Sequence, residues 1–135
     1  MKAILLVAHG SRKIESNCEV SVLANKMMDY LGNRFDFVEY GFLELGRPFI
    51  PEAIDICAKR GATKITVVPY FLSAGRHVKI DVPKEIEKGR LNNPDVEVEM
   101  ANYLGSRDEI ADLLVKLAEN NESGKNYEKQ RFSNL

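Results

Sequence analysis

The two histidines of the chain are the residues whose possible chemistry is clearest from the sequence. His9 lies in the segment AHGSR, and His77 lies in FLSAGRH. Imidazole binds Fe, Co, Ni, Cu and Zn, and it accepts a proton near neutral pH. A single histidine is more often a surface or structural residue, but two histidines that meet at one site indicate metal binding or proton transfer.

Glu44, in the segment GFLELGRP, is the third candidate for chemistry. Two histidines and one carboxylate would form a weak, exchangeable metal site, whereas a structural zinc site has four closed ligands, usually with cysteine. By itself, Glu44 would be a solvated loop carboxylate or a helix-capping partner, and beside two histidines the two roles are about equally supported. We take His9, His77 and Glu44 as the predicted catalytic and metal-ligating residues.

Basic residues accumulate in the same segments as these three side chains. They suit a ligand with several carboxylates, because arginine holds a carboxylate through paired hydrogen bonds, although some of them would simply be solvated loop charges. Glycines in these segments would let the backbone approach a flat ligand closely. The predicted substrate-binding residues are Ser11, Arg12, Arg47, Ser73, Gly75 and Arg76.

The composition is that of an ordinary soluble globular domain, with 135 residues, 44% hydrophobic and 29% charged, and a net charge of -1. This charge provides no global basic field for nucleic acid or for an anionic membrane, and no apolar run reaches the roughly 20 residues that span a bilayer. Cys18 and Cys57 have no metal-ligand spacing and are predicted to be small buried residues of a protein from a reducing compartment. We predict a strand rather than a signal peptide at the N-terminus, and hence a cytoplasmic protein.

The apolar pattern alternates four times between strand-like and helix-like periods, which predicts parallel strands joined by right-handed crossovers. Strands are predicted over 3–8, 36–43, 64–71 and 95–101, and helices over 14–31, 49–60 and 79–89 and after Ser106. We predict an α/β three-layer sandwich with a four-stranded parallel sheet in the order 2-1-3-4. Ligands of such sheets bind at the carboxyl edge, where the order reverses, and both histidines follow strands 1 and 3.

The last part of the chain carries two further predictions. Ser106 and Glu109 form a predicted capping box, and the helix that follows is expected to bury its apolar face, which consists of Ile110, Leu113, Leu114 and Leu117. Residues 1–120 are predicted to be a single domain. Residues 121–135 are predicted to be a polar tail, either mobile or with one added short helix.

Several short motifs follow one another along the chain in a definite order. They are HGSR at 9–12, FLE at 42–44, PEAI at 51–54, VVPYFL at 67–72, GRHV at 75–78 and DVP at 81–83. In order and spacing, over residues 1–118, the chain resembles the short class II chelatases of the sirohydrochlorin cobaltochelatase type. One departure is LGSRD at 104–108, where the family often has a His-Pro pair.

The resemblance implies an enzyme that inserts a divalent metal into sirohydrochlorin or a close derivative in tetrapyrrole biosynthesis, with cobalt favoured and nickel or iron as alternatives. In such enzymes the motif histidines, here His9 and His77, deliver the metal, and Glu44 is expected to assist as ligand or base. The metal is a substrate, and no tightly bound cofactor is expected. Short members resemble one half of longer two-lobed chelatases, which implies a homodimer with the macrocycle between like lobes.

Three other functions are alternatives to metal insertion. A histidine phosphatase needs an arginine directly before the catalytic histidine, and this chain has Ala8 there. A flavodoxin-like nucleotide-binding module needs a longer phosphate loop than Gly10 and Ser11 supply. A non-catalytic carrier of metal or tetrapyrrole would bind without turnover. The residues leave open which metal and pathway are served and how many active sites a dimer has.

Overall fold

Four parallel strands form the sheet of this protein, which is seen in a computed structural model that describes residues 1–122. The strand order is β2-β1-β3-β4, as predicted. In the register, Ala8 lies opposite Phe42, and Val7 lies opposite Pro69. Pro69 thus ends its strand, where a missing ladder donor is tolerated. The strands are β1 (Lys2–Ala8), β2 (Phe37–Phe42), β3 (Lys64–Pro69) and β4 (Glu97–Met100).

Helices cover both faces of this sheet, which makes the three predicted layers. The helices are α1 (Ile14–Met27), α2 (Ile50–Lys59), α3 (Val82–Asn92) and α4 (Glu109–Glu122). Short 3-10 turns cover Met28–Tyr30 and Leu104–Ser106, and a π-helical turn covers His77–Asp81. No helix within residues 1–122 has the length and apolar character needed to span a membrane.

The alternation of side chains along β1 divides the core in two. Leu5 and Val7 point to the face covered by α2 and α3, whereas Leu6 and Ala8 point to the face covered by α1. All four side chains are buried, which explains why β1 is apolar without a break. Fully burying a side chain such as Leu5 contributes about 1.5–3 kcal/mol, so the buried side chains of β1 help to fix the strand from which the loop with His9 begins.

Helix α4 differs from the prediction. Leu113, Leu114 and Leu117 were expected to be buried, but they are 56–61% exposed, and every side chain over 111–121 is exposed. The expectation was wrong because helical periodicity reveals an apolar face but does not say what covers it.

Two smaller predictions were also wrong. Helix α4 begins at Glu109, and the predicted capping box is absent because the Ser106 hydroxyl donates to Tyr103 O while Glu109 pairs with Arg107. Cys57 is buried as expected, but Cys18 lies on the outer side of α1 and is exposed. Of the tail predicted over 121–135, the first two residues belong to α4, and the remainder lies outside the described residues.

Candidate functional site

The loops after β1 and β2 lie side by side at the carboxyl edge of the sheet. Their ladder of hydrogen bonds continues past the strand ends, because Leu43 N donates to Ala8 O and Glu44 N donates to His9 O, each over 3.0 Å. This pairing brings the His9 and Glu44 side chains together, with 2.9 Å between His9 Nε2 and Glu44 Oε1. The predicted proximity of these two residues is therefore observed.

Gly10 makes the close approach of these two loops sterically possible. Its φ is +99°, and a β-carbon added there would lie 1.6 Å from Glu44 O. Any other residue would be strained in its backbone and would displace the loop that carries Glu44. The position of His9 against Glu44 thus depends on a residue that has no side chain.

The loop after β3 is held between β1 and the segment around Gly105. Tyr70 N donates to Val7 O over 2.7 Å, and Gly105 N donates to Phe71 O over 2.9 Å. A β-carbon on Gly105 would lie 1.8 Å from Leu72 O, so the two segments touch through their backbones. The loop then enters the π-helical turn that begins with His77.

The two histidines meet at this edge, as their positions after β1 and β3 predicted. Their ring centroids are 4.5 Å apart, and the ring planes are tilted by 35°. The side chains are half-exposed, at 44% for His9, 49% for His77 and 56% for Glu44. The three groups therefore form an open site, reachable by a ligand larger than water.

Within residues 1–122, no three His, Cys, Asp or Glu side chains are arranged to hold one metal ion. His9 and Glu44 are instead paired with each other. His9, Glu44 and His77 would have to reorient before they could hold one ion together. This open arrangement differs from a structural metal site, whose ligands are closed around the ion.

Asp81, the first residue of the DVP motif at 81–83, is a functional candidate for which the sequence predicted no role. Its Oδ2 lies 3.0 Å from His77 Nδ1. The available signal was the spacing of four residues, which places two side chains on one side of a helical turn. The carboxylate was overlooked because the sequence predicted a loop at His77 rather than the start of a helical turn.

Only some of the predicted substrate-binding residues have contacts with the side chains around the two histidines. Arg76 Nε lies 4.0 Å from Asp81 Oδ1, so Arg76 is at the site. Arg47 instead pairs with Glu52 over 2.8 Å and lies over the Phe49 ring. The side chains of Arg12 and Ser73 are exposed, and so is Gly75.

Ser11 has a clear structural role in the loop after β1. Its backbone N–H donates to Asn17 Oδ1, and Asn17 Nδ2 donates back to Ser11 O over 2.8 Å. The Ser11 hydroxyl accepts a hydrogen bond from Lys13 N. The loop beside His9 is therefore fixed to the first turns of α1, and a substrate contact by Ser11 would come in addition to this role.

A cavity of about 240 Å³ opens beside His77 and Glu44. Lys84 and Lys88 of α3, four residues apart, line it, and neither was among the predicted site residues. A larger depression, of about 610 Å³, lies at the opposite edge of the sheet, around Lys2 and Lys64, and contains neither histidine. The smaller cavity is therefore the one beside His77, and its lining is mixed in charge, because three carboxylates line it with the two lysines and Glu85 is paired with Lys88 over 2.6 Å.

Comparison with known proteins identifies the family of this chain. The family model described as CbiX matches residues 3–121. The chain belongs to the CbiX family. The match includes both histidines, Glu44 and Asp81, and it ends within α4.

Relatives of the CbiX chain are similar over nearly its whole length. A sirohydrochlorin cobaltochelatase of Saccharolobus islandicus is 36% identical over 133 residues, which is 94% of this chain and 100% of the relative. One from Sulfurisphaera tokodaii is 38% identical over 120 residues, which is 88% of this chain and 92% of the relative. The sirohydrochlorin chelatase SirB of Bacillus subtilis subspecies spizizenii, solved with cobalt, has a TM-score of 0.78 and 29% identity, covering 88% of this chain and 50% of that one.

Proposed function

We propose that this protein is a chelatase that inserts a divalent metal ion into sirohydrochlorin or a close derivative. The observation that carries the proposal is the contact of the His9 and His77 rings, 4.5 Å apart, with Glu44 paired to His9. The names of the CbiX relatives and the cobalt in SirB support cobalt as the metal, with nickel and iron as alternatives. The metal is a substrate, and the proposal includes no tightly bound cofactor.

The reaction needs a site that binds metal loosely and accepts protons. The metal must lose its water ligands, and two pyrrole N–H protons must leave as the metal–nitrogen bonds form. We assign metal delivery to His77 with His9 as its partner, and we assign proton acceptance to the His9–Glu44 pair. Imidazole accepts a proton near neutral pH, the adjacent carboxylate assists it as a base, and the half-exposed site lets the proton pass on to water.

The peripheral carboxylates of the macrocycle need cationic partners around this centre. We assign this role to Arg76 and to the cavity residues Lys84 and Lys88, of which Lys88 would have to leave Glu85. The loop residues Ser11, Arg12, Ser73 and Gly75 line the same edge, and Arg47 would have to leave Glu52. Contacts of this kind orient a planar ligand without taking part in the proton transfers.

We further propose that two copies of the domain, residues 1–120, enclose one macrocycle as a homodimer. One copy leaves the three central side chains about half-exposed, whereas a binding pocket typically buries roughly 70–90% of its ligand. The chain spans about half of the SirB chain it matches, which leaves room in that structure for a second lobe.

The free thiols of Cys18 and Cys57 support a reducing, cytoplasmic location.

The apolar face of α4 supports the second copy as its partner. Another apolar stripe, with Ile14, Cys18 and Val22, runs along the outer side of α1 and lines a groove of about 590 Å³. In a two-fold dimer the same surface of both copies meets, so the stripe of α4 would be covered either by α4 of the other copy or, reciprocally, by the stripe of α1.

An anaerobic absorbance assay with sirohydrochlorin and Co²⁺, Ni²⁺ or Fe²⁺ tests the proposed activity. We expect spectral conversion faster than without protein, and its loss in His9→Ala and His77→Ala. Arg34→Ala, at the opposite edge of the sheet, is the matched control and should keep full activity. Binding without turnover would leave a carrier, and a His77→Ala variant with wild-type turnover would overturn the assignment of His77.

A further inference from the structure

His77 begins a type of turn that is rare in proteins. Residues His77–Asp81 form a π-helical turn, which closes with Val82 N donating to His77 O. Such turns occur mostly as single insertions in helices and frequently at functional sites. Here the turn joins the loop after β3 directly to α3, so the catalytic loop and the helix share one short segment.

Asp81 ends this turn, and its carboxylate is directed back to His77. The Oδ2 atom lies 3.0 Å from His77 Nδ1, and Oδ1 lies 4.0 Å from Arg76 Nε. Asp81 has helical backbone angles, φ -70° and ψ -45°, and lies inside a continuous helical segment that runs from the π-helical turn into α3, so it caps no helix end. Its side-chain contacts are with His77 and Arg76.

We propose that Asp81 is a positioning residue that holds His77 in the tautomer with the proton on Nδ1. A carboxylate beside Nδ1 accepts that proton in a hydrogen bond, which leaves the lone pair of Nε2 free to meet the incoming metal. The part of this inference that concerns metal rests on the proposed function. The part that concerns the tautomer rests on the contact alone.

The arrangement makes the two histidines inequivalent. His9 uses Nε2 to contact Glu44, whereas His77 uses Nδ1 to contact Asp81. Each ring thus has a carboxylate beside a different nitrogen: His77 Nδ1 is hydrogen-bonded to Asp81, whereas the buried His9 Nε2 lies close to Glu44 Oε1 without the geometry of a hydrogen bond. This division agrees with His77 as the residue that delivers metal and with His9 as part of the proton-accepting pair.

The tautomer can be measured by ¹⁵N NMR on the full-length protein without any assay of activity. In the neutral imidazole, at alkaline pH, the wild type should show His77 protonated on Nδ1. In Asp81→Ala the Nε2-protonated form should dominate, while the signals of His9 stay unchanged. Glu87→Ala, which removes an exposed carboxylate of α3 paired with Arg90, is the matched control and should resemble the wild type.

Steady-state kinetics provide the second readout. Asp81→Ala should lower kcat for metal insertion by roughly 10–100-fold, the usual effect of losing a carboxylate behind a metal-binding histidine, and leave KM for the tetrapyrrole unchanged. Equal kinetics for Asp81→Ala and Glu87→Ala would overturn the inference, as would wild-type His77 protonated on Nε2. A wild type that inserts no metal would refute the proposed function, but the NMR result would still decide the role of Asp81.

Discussion

At the scale of single residues, the site depends on contacts that a few atoms permit or forbid. Gly10 allows the loop after β1 to touch the loop that carries Glu44, and this contact sets the 2.9 Å approach of His9 to Glu44. Asp81 acts similarly on His77, through one hydrogen bond rather than through an absent side chain. Both residues matter because a displacement of about 1 Å in a reacting group can lower a rate roughly 100-fold.

Gly10→Ala should therefore impair both folding and catalysis. The new β-carbon would lie 1.6 Å from Glu44 O, and the backbone at φ +99° would be strained. Strain of this kind costs about 1–3 kcal/mol before the clash is counted, so we expect a loss of at least ~2 kcal/mol in the free energy of unfolding. Metal insertion by the folded fraction should fall roughly 100-fold as His9 moves away from Glu44.

Gly32→Ala is the control for this substitution. Gly32 also has a positive φ, of +59°, but an added β-carbon would meet nothing within 4 Å. The Gly32→Ala variant should lose only the free energy of unfolding that backbone strain costs, about 1–2 kcal/mol, and it should keep full activity. Denaturant unfolding and the absorbance assay measure both effects, and equal losses in the two variants would show that the contact with Glu44 is unimportant.

At the scale of elements, α2 shows how a helix anchors the sheet beneath the site. Its inward face consists of Ile50, Ala53, Ile54 and Cys57, all of which are fully buried. The Cys57 thiol has no metal or disulfide partner within residues 1–122 and acts as a small apolar group. Burial first, and the nearby Glu39 second, raise the pKa of Cys57 from 9.0 to about 12, against a lowering by Arg60.

This raised pKa predicts a specific loss of stability at alkaline pH. Above the unfolded pKa of 9.0, the unfolded thiol releases its proton while the folded thiol keeps it until about pH 12. The contribution of the protonated Cys57 thiol to the free energy of unfolding is therefore complete below pH 9.0 and is lost as the pH rises toward 12. For one group the slope is at most about 1.4 kcal/mol per pH unit.

Urea unfolding of the wild type and of Cys57→Ala isolates this contribution. At neutral pH the alanine variant should be less stable because it leaves a cavity. The difference in the free energy of unfolding between the wild type and this variant should shrink between about pH 9 and pH 10.5, since only the wild type loses the contribution of the thiol. Cys18→Ala, which removes an exposed thiol, should follow the wild type, and a constant deficit for Cys57→Ala would contradict the assigned pKa.

At the scale of the whole molecule, the outstanding feature is an amphipathic helix whose apolar face is not covered by any other element within residues 1–122. The apolar face of α4 is exposed although its residues are those of an ordinary core. A contiguous apolar surface of this kind marks an interaction site. In the proposed homodimer, a second copy would cover this face.

Leu117→Glu should weaken the proposed homodimer. A buried, unpaired carboxylate is strongly unfavourable in an apolar interface, so we expect at least a tenfold increase in the dimer dissociation constant. Val115→Glu is the matched control because it places the same charge on the same helix, away from the stripe of Leu113, Leu114 and Leu117. Analytical ultracentrifugation over a range of concentrations measures both constants, and a monomeric wild type or two equal variants would refute the interface.

Much of the fold and part of the site could be predicted from the sequence. The strand order, the place of Pro69 and the meeting of His9, His77 and Glu44 at one edge were all predicted, because local apolar periods and short connections constrain them. The burial of Leu113 was predicted wrongly because burial depends on a neighbour that periodicity does not identify. Lys84 and Lys88 were not predicted as site residues, because the sequence around a lysine on a helix surface does not show which cavity the side chain lines.

The sequence by itself determined which residues stand at the ends of which parallel strands, because connectivity and side-chain alternation are properties of the chain order. It therefore determined that both histidines would reach the same edge of the sheet. Only the tertiary structure decided that His9 pairs with Glu44 while His77 pairs with Asp81, and that α4 leaves its apolar face open. Those outcomes depend on the packing of separate segments to within about 1 Å, which no local pattern of residues specifies.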